Sequence, residues 1–232
     1  MTTHCSRMMI RLQRISSDTG VATMLQGLAM MTMLIDHIGL MFFQDQTIFR
    51  LIGRIAFPLY ACFLVKGYLL TRNRRTYMLR LFVLALISQA PFTLALEKFE
   101  LNVIFTLLYS LLALWAVDLV SEDLKVLTTV VVLSTSLIIP MDYGIYGVLI
   151  IFIFRYVEGR WEMIGFHLLL NGLFFLIYGL GYWVQLFSIF GTILIWMTMS
   201  VRPRKTLNKW IYRTFYPAHL LVLWVIQRLQ FL

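Results

Sequence analysis

The stretch LAMMTMLIDHIGLMFF, residues 28–43, decides the fold: it is apolar enough to cross a bilayer, yet it carries Asp36 and His37 side by side. Ionisable groups at membrane depth cost about 2.5–3.5 kcal/mol or more, so they face a bundle interior or a wet cavity and mark function by default. The rest of the chain repeats the apolar theme. Of 232 residues, 60% are hydrophobic and 13% charged, against about 45–50% and about 25% in soluble domains. Runs close to the roughly 20 residues of one helical crossing recur almost from end to end. The composition excludes a soluble globular protein and specifies an all-α, polytopic integral membrane helical bundle.

Nine hydrophobic segments are expected, at about 21–43, 48–70, 77–96, 101–120, 124–140, 143–157, 162–180, 182–200 and 213–231. The fifth and sixth are short enough to form a re-entrant pair, so eight or ten crossings stay open. The formal charge of +9 is concentrated in alternate connectors. Arg7, Arg11 and Arg14 precede the first segment. Arg72, Arg74 and Arg75 follow the second, Lys125 the fourth, and Arg155 and Arg160 the sixth. Arg202, Arg204, Lys205 and Lys209 follow the eighth. The opposite connectors hold Arg50 and Lys98 beside Asp45, Glu97, Glu100 and Asp142. Such alternation is the positive-inside pattern of a bacterial inner-membrane protein with a cytoplasmic N-terminus. No basic helix or patch on a soluble module points to nucleic acid. Residues 1–20 read as a cytoplasmic N-terminal segment and 21–232 as a single transmembrane domain. Cys5 and Cys62 have no metal-ligand or disulfide spacing, so no metal is expected.

Polar groups converge on one level. Asp36 and His37 lie in the outer half of the first segment, and Arg50 and Arg54 lie near the outer end of the second. Arg50 and Arg54 are four apart and hence expected on one helical face. Ser88, Gln89 and Pro91 end the third segment outward, and Asn102 and Thr106 begin the fourth there. Adjacent residues on a helix diverge by about 100°. Asp36 and His37 therefore face different neighbours: Asp36 an arginine, Arg50 or Arg54, and His37 the cavity, where a neutral imidazole can act as a base. Each group also has a purely structural reading as an ion pair or interhelical hydrogen bond. Pro58, flanked by Gly53 and Gly67, is expected to kink the second helix, and Lys66 to snorkel inward. His167 and Asn171, four apart, read either as a second polar cluster or as a helix-packing hydrogen bond. His219 falls near the cytoplasmic end of the last segment, with Pro217 in its first turn.

The motifs GLAMMTMLIDHIGLMF, FRLIGRIAFPLYACFLVKGYLLTRN, YMLRLFVLALISQAPF and LNVIFTLLYSLL, with the later FYPAHLL, resemble the TraX family. Founding members of that family are linked to N-terminal acetylation of F-type conjugative pilin. The first motif is also similar to the opening helix of type-3 membrane acyltransferases, in which a basic residue precedes a histidine by eleven positions. Here that pair is Gln26 and His37, so the basic position is uncharged. Eleven residues return a helix almost to its starting direction, roughly 16 Å further along.

The resemblance implies transfer of acetyl from acetyl-CoA to an acceptor in a pilin, glycan or lipid. His37 would be the base, Asp36 its orienting partner through Arg50 or Arg54, and an arginine or Asn102 the oxyanion donor. Gln26, Arg72, Arg74, Arg75 and His219 would serve the donor. A proton-coupled transporter and a non-enzymatic pilus assembly factor are the competing expectations.

Overall fold

The computed structural model describes residues 19–198 and 208–230. The arginines at 7, 11 and 14 of the expected N-terminal segment, and Arg202, Arg204 and Lys205, lie outside them. The described residues are helical with short connectors: α1 (Thr19–Phe42), α2 (Thr47–Gly53), α3 (Ala56–Leu70), α4 (Arg74–Leu96), α5 (Val103–Leu119), α6 (Glu122–Ile138) and α7 (Gly144–Tyr156). Then come α8 (Arg160–Tyr178), a 3-10 segment (Gly179–Ser188), α9 (Ile189–Thr198) and α10 (Lys209–Gln230). Val21–Phe42, Thr47–Leu70, Arg74–Leu96 and Arg160–Thr198 are long and apolar enough to cross a membrane, and Val103–Leu119 and Gly144–Tyr156 are shorter apolar helices.

Faces turned away from the bundle carry side chains such as Leu79, Leu86, Ile87, Val126, Leu176 and Ile177, all more than half exposed. Water does not tolerate contiguous apolar surface on this scale; lipid does. The chain is a membrane protein.

Among the described residues, eight helical stretches replace the expected nine. The segments expected at 162–180 and 182–200 are one unbroken stretch from Arg160 to Thr198. It nevertheless bends back on itself. His167 Nδ1 lies 2.6 Å from Thr192 Oγ1, whereas 25 residues of straight helix would separate them by about 37 Å. The 3-10 segment makes that reversal. The kink of the second stretch is also not at Pro58. The helix breaks at Arg54 and Ile55, and Pro58 sits in the first turn of α3, where its missing N–H costs nothing. Pro217, expected in a first turn, lies inside α10.

Helix α3 is the hub, touching α1, α5, α7 and α9, while α10 packs against α4 and α1 so that the last helix meets the first. Two pairings at one end of the bundle set the site. Gly53 of α2 abuts Asp36 of α1, and a Cβ there would fall on the carboxylate, so only glycine permits this approach. The connectors before α5 and α7 are joined by Leu101 N–H to Pro140 O (3.0 Å) and Asp142 N–H to Leu101 O (2.9 Å). Those bonds bring Asp142 beside Lys98.

Candidate active site

A cavity of about 450 Å³ runs between α1, α3, α4, α5 and α10. On α1 it is lined from Ala22 and Gln26 to Asp36 and His37, a rise of about 22 Å. Antiparallel neighbours fix its two ends. Lys66, Arg80 and Arg213 line it at the Ala22 end, and Asp36 and Asp142 at the His37 end. Between them the wall is mainly apolar, with Met33, Ala56, Phe57, Leu64, Leu81 and Leu107.

His37 is buried, and its Nδ1 lies 2.7 Å from Nε2 of His219. The tautomers follow from a third contact. His219 Nδ1 is 2.7 Å from the carbonyl oxygen of Phe215, and a carbonyl only accepts, so His219 carries its proton on Nδ1. In the neutral ring Nε2 is then bare and accepts from His37 Nδ1–H. That leaves the lone pair of His37 on Nε2, the arrangement a general base needs. The rings stack at 4.9 Å, and Phe215 stacks on His219 at 4.7 Å, which fixes both planes. Tyr60 and Tyr216 line the same cavity, and neither hydroxyl donates a hydrogen bond within the protein, so each can donate to a bound group.

Asp36 faces Arg50, as one of the two expected pairings had it, at 2.8 Å from Oδ2 to Nη1. Arg50 Nη1 aims no hydrogen bond at that oxygen, so the contact is an ion pair, and the other carboxylate oxygen, Asp36 Oδ1, has no hydrogen-bond partner. Arg54 does not share Arg50's face. With α2 ending at Gly53, the chain turns and Arg54 Nη1 donates to Gln185 Oε1 at 3.1 Å.

Asn102 is not an oxyanion donor in this arrangement. Its Nδ2 donates to Ala85 O and Gln89 Oε1, both at 2.9 Å, and its Oδ1 caps α5 by accepting from Ile104 N–H at 3.0 Å. With both amide hydrogens engaged, it locks α4 to α5 instead.

The arginines expected at the donor end are also redistributed. Arg74 reaches Asp118 at 3.5 Å and covers the Tyr68 ring at 4.5 Å. Asp118 is shared with Arg155 at 3.4 Å and with the Tyr68 hydroxyl at 2.8 Å, a knot that ties together the ends of α3, α4, α5 and α7. Arg72 and Arg75 are exposed, and none of the three lines the cavity. The cations that do line it, Lys66, Arg80 and Arg213, were not anticipated as site residues.

His219, expected near the cytoplasmic end, sits midway along α10 because that helix begins four residues earlier than expected, at Lys209. It pairs with His37.

His167 and Asn171 form a closed network. Tyr146 OH bonds His167 Nε2 (3.0 Å), Asn171 Oδ1 (2.9 Å) and Ser188 Oγ (3.0 Å). All four residues are buried, so His167 and Asn171 belong to a second polar cluster, which holds the bend of α8–α9.

At the connectors, Lys98 Nζ lies 3.3 Å from Asp142 Oδ1 and 2.9 Å from Glu100 Oε1. Burial pushes the Asp142 carboxyl above its usual range, and the Lys98 ammonium only partly offsets this. Lys98 is itself held above its ordinary value, since Asp142 and Glu100 outweigh its own desolvation.

A family model described as TraX protein matches residues 22–227. The chain belongs to the TraX family. The chain is also similar to the probable fimbrial assembly protein FimC, serogroup H1, of Dichelobacter nodosus. It is 30% identical over 174 residues, covering 67% of this chain and 70% of the relative. No solved structure matches. The family match includes α1 with Gln26, Asp36 and His37 and most of α10 with His219, so both histidines of the pair fall inside it.

Proposed function

We propose that this TraX-family protein is an integral membrane acyltransferase that moves acetyl from cytosolic acetyl-CoA to a group at or beyond the outer leaflet. The observation that carries the reading is one cavity that joins a cationic mouth to a histidine with a free Nε2 lone pair. By the positive-inside rule the Lys66 end is cytoplasmic and the His37 end faces outward in the inner membrane.

The wall chemistry fits the donor. Lys66, Arg80 and Arg213 suit its phosphates, and the apolar middle suits its long arm. Gln26, buried and on the wall, offers a polar contact to that arm but no charge. His37 Nε2 takes the proton as the acceptor's amine or hydroxyl attacks the thioester carbonyl. Tyr60 or Tyr216 donates to the developing oxyanion. When the intermediate collapses, the C–S bond breaks, and the departing thiolate takes the proton from His37. Acetyl is thereby joined to the acceptor, and free coenzyme A is released.

The similarity to a probable fimbrial assembly protein, together with the family, supports a pilus subunit as acceptor; surface glycans and lipids present the same nucleophiles. Mass spectrometry of pilins, glycans and lipids from cells with and without the protein tests this. An acetyl group missing from one class names the acceptor. Identical profiles, with pili still lost, would favour a non-enzymatic assembly role.

A further inference from the structure

A second cavity, also about 450 Å³, lies between the outward ends of α1, α4 and α10, lined by Gly39, Gln44, Arg50, Glu97, Lys98 and Gln227 among others. Its relation to the first cavity is ordered by charge. Asp36 and Asp142 are on the wall of the long cavity, while their partners Arg50 and Lys98 are on the wall of the second. The two cavities are thus separated at this end by two ion pairs, Asp36–Arg50 at 2.8 Å and Asp142–Lys98 at 3.3 Å.

The first pair is short but lacks a directed hydrogen bond, and the second shares its cation with Glu100. Arg50 Nη1 and Asp36 Oδ1 make no directed hydrogen bond to anything. Lys98 divides its ammonium between Asp142 and Glu100 and is 44% exposed. The backbone around them is constrained. Glu97 ends α4 in the left-handed region at φ 52°, and the Leu101–Pro140 and Asp142–Leu101 bonds hold the connectors. Side-chain motion is therefore the cheapest way to join the cavities.

We propose that the second cavity is the vestibule through which the acceptor enters, and that a carboxylate on the acceptor opens the partition by taking Arg50 and Lys98 from Asp36 and Asp142. The incoming group replaces the displaced carboxylates in kind, so the two cations keep an anionic partner throughout. Gln44 and Gln227 give further hydrogen bonds. The vestibule's role as an acceptor entrance rests on the acyltransferase reading; the partition does not, and is tested without catalysis.

In a Cys5→Ser/Cys62→Ser background, Val103→Cys places a thiol on the long cavity's wall beside the partition. The protein is reconstituted in vesicles, and a membrane-impermeant thiol reagent is applied from the side of the α1 C-terminus. Labelling is expected to be slow in this parent and at least tenfold faster in Arg50→Gln/Lys98→Gln. It should be slow again in the charge exchange Lys98→Asp/Asp142→Lys, which also shows that altered charges at this position do not simply unfold the protein. Millimolar acetyl-Glu-Glu-amide should accelerate labelling of the parent, while acetyl-Gln-Gln-amide and inorganic phosphate should not. Equal rates in the parent and the double variant overturn the partition. Equal acceleration by all three probes overturns carboxylate recognition. If labelling behaves as expected but no acetyl transfer is found, the partition stands and the acyltransferase reading falls.

Discussion

Replacing His219 with phenylalanine isolates what the second histidine does for the first. The ring volume and the stack on Phe215 (4.7 Å) are kept, but the acceptor 2.7 Å from His37 Nδ1 is lost. A buried donor left without its partner costs about 1–3 kcal/mol. That penalty falls on the tautomer carrying the proton on Nδ1, which is the one with Nε2 free to act as base. At about 1.4 kcal/mol per tenfold, kcat should fall about 5- to 150-fold, while KM for acetyl-CoA stays within about twofold because the cationic mouth is untouched. His219→Gln supplies the control. Its amide oxygen reaches close to the position of the imidazole Nε2 and can accept from His37, so most of the rate should return. The assay is acetyl transfer by purified protein with labelled acetyl-CoA, with thermal unfolding followed in parallel. Full kcat in His219→Phe, or a Gln variant as slow as the Phe variant at equal stability, refutes the tautomer argument.

Arg80→Ala and Arg213→Ala should each raise KM for acetyl-CoA about fivefold, the equivalent of about 1 kcal/mol for a partly exposed ion contact, whereas Arg72→Ala and Arg75→Ala should leave it unchanged; steady-state kinetics separate the two sets. Gly53→Ala drives a methyl onto the Asp36 carboxylate, and overpacking of this kind costs about 1–3 kcal/mol. The melting temperature in detergent should fall, and a far milder loss is expected for Gly165→Ala, where a Cβ meets nothing within 4 Å. Asp142 is raised above its ordinary value of 3.8 by burial. The folded state therefore holds the proton more tightly than the unfolded state, and stability falls as pH rises from about 4 through the raised value. Asp142→Asn should flatten that limb in unfolding measured across pH.

The helices were legible because a bilayer imposes a length and a composition that a sequence displays directly. Asp36 and its arginine were legible for the same reason, since a charge at that depth requires a partner. Pairings far apart in the chain were not. His37 and His219 are 182 residues apart, and the apolar run of the last segment hides that α10 starts at Lys209 with polar residues in its first turns. A helix counted from residue 213 has His219 near its cytoplasmic end, whereas from Lys209 it falls midway.

Lys66, Arg80 and Arg213 are cations near helix ends, indistinguishable in sequence from topology signals or snorkelling side chains; only the cavity separates them from Arg72, Arg74 and Arg75. Asn102 carried the opposite ambiguity. A polar residue at the start of a membrane helix reads equally as a donor to substrate or as a cap, and its three hydrogen bonds decide for the cap. The reversal near residue 181 is legible as the break between two apolar segments, but not that a 3-10 helix over Gly179–Ser188 makes it, because residues such as Leu180, Tyr182, Trp183 and Leu186 are as apolar as the helices they join.

The most direct measurement of the central claim uses purified protein in sealed vesicles, with acetyl-labelled coenzyme A on the Lys66 side and an amine- or hydroxyl-bearing acceptor on the His37 side. Labelled acetyl should appear on the acceptor, with free coenzyme A released on the opposite face, and both should disappear in a His37→Ala protein that unfolds at the same temperature as the parent. Transfer that continues in His37→Ala, or label that crosses the membrane without joining the acceptor, would contradict it.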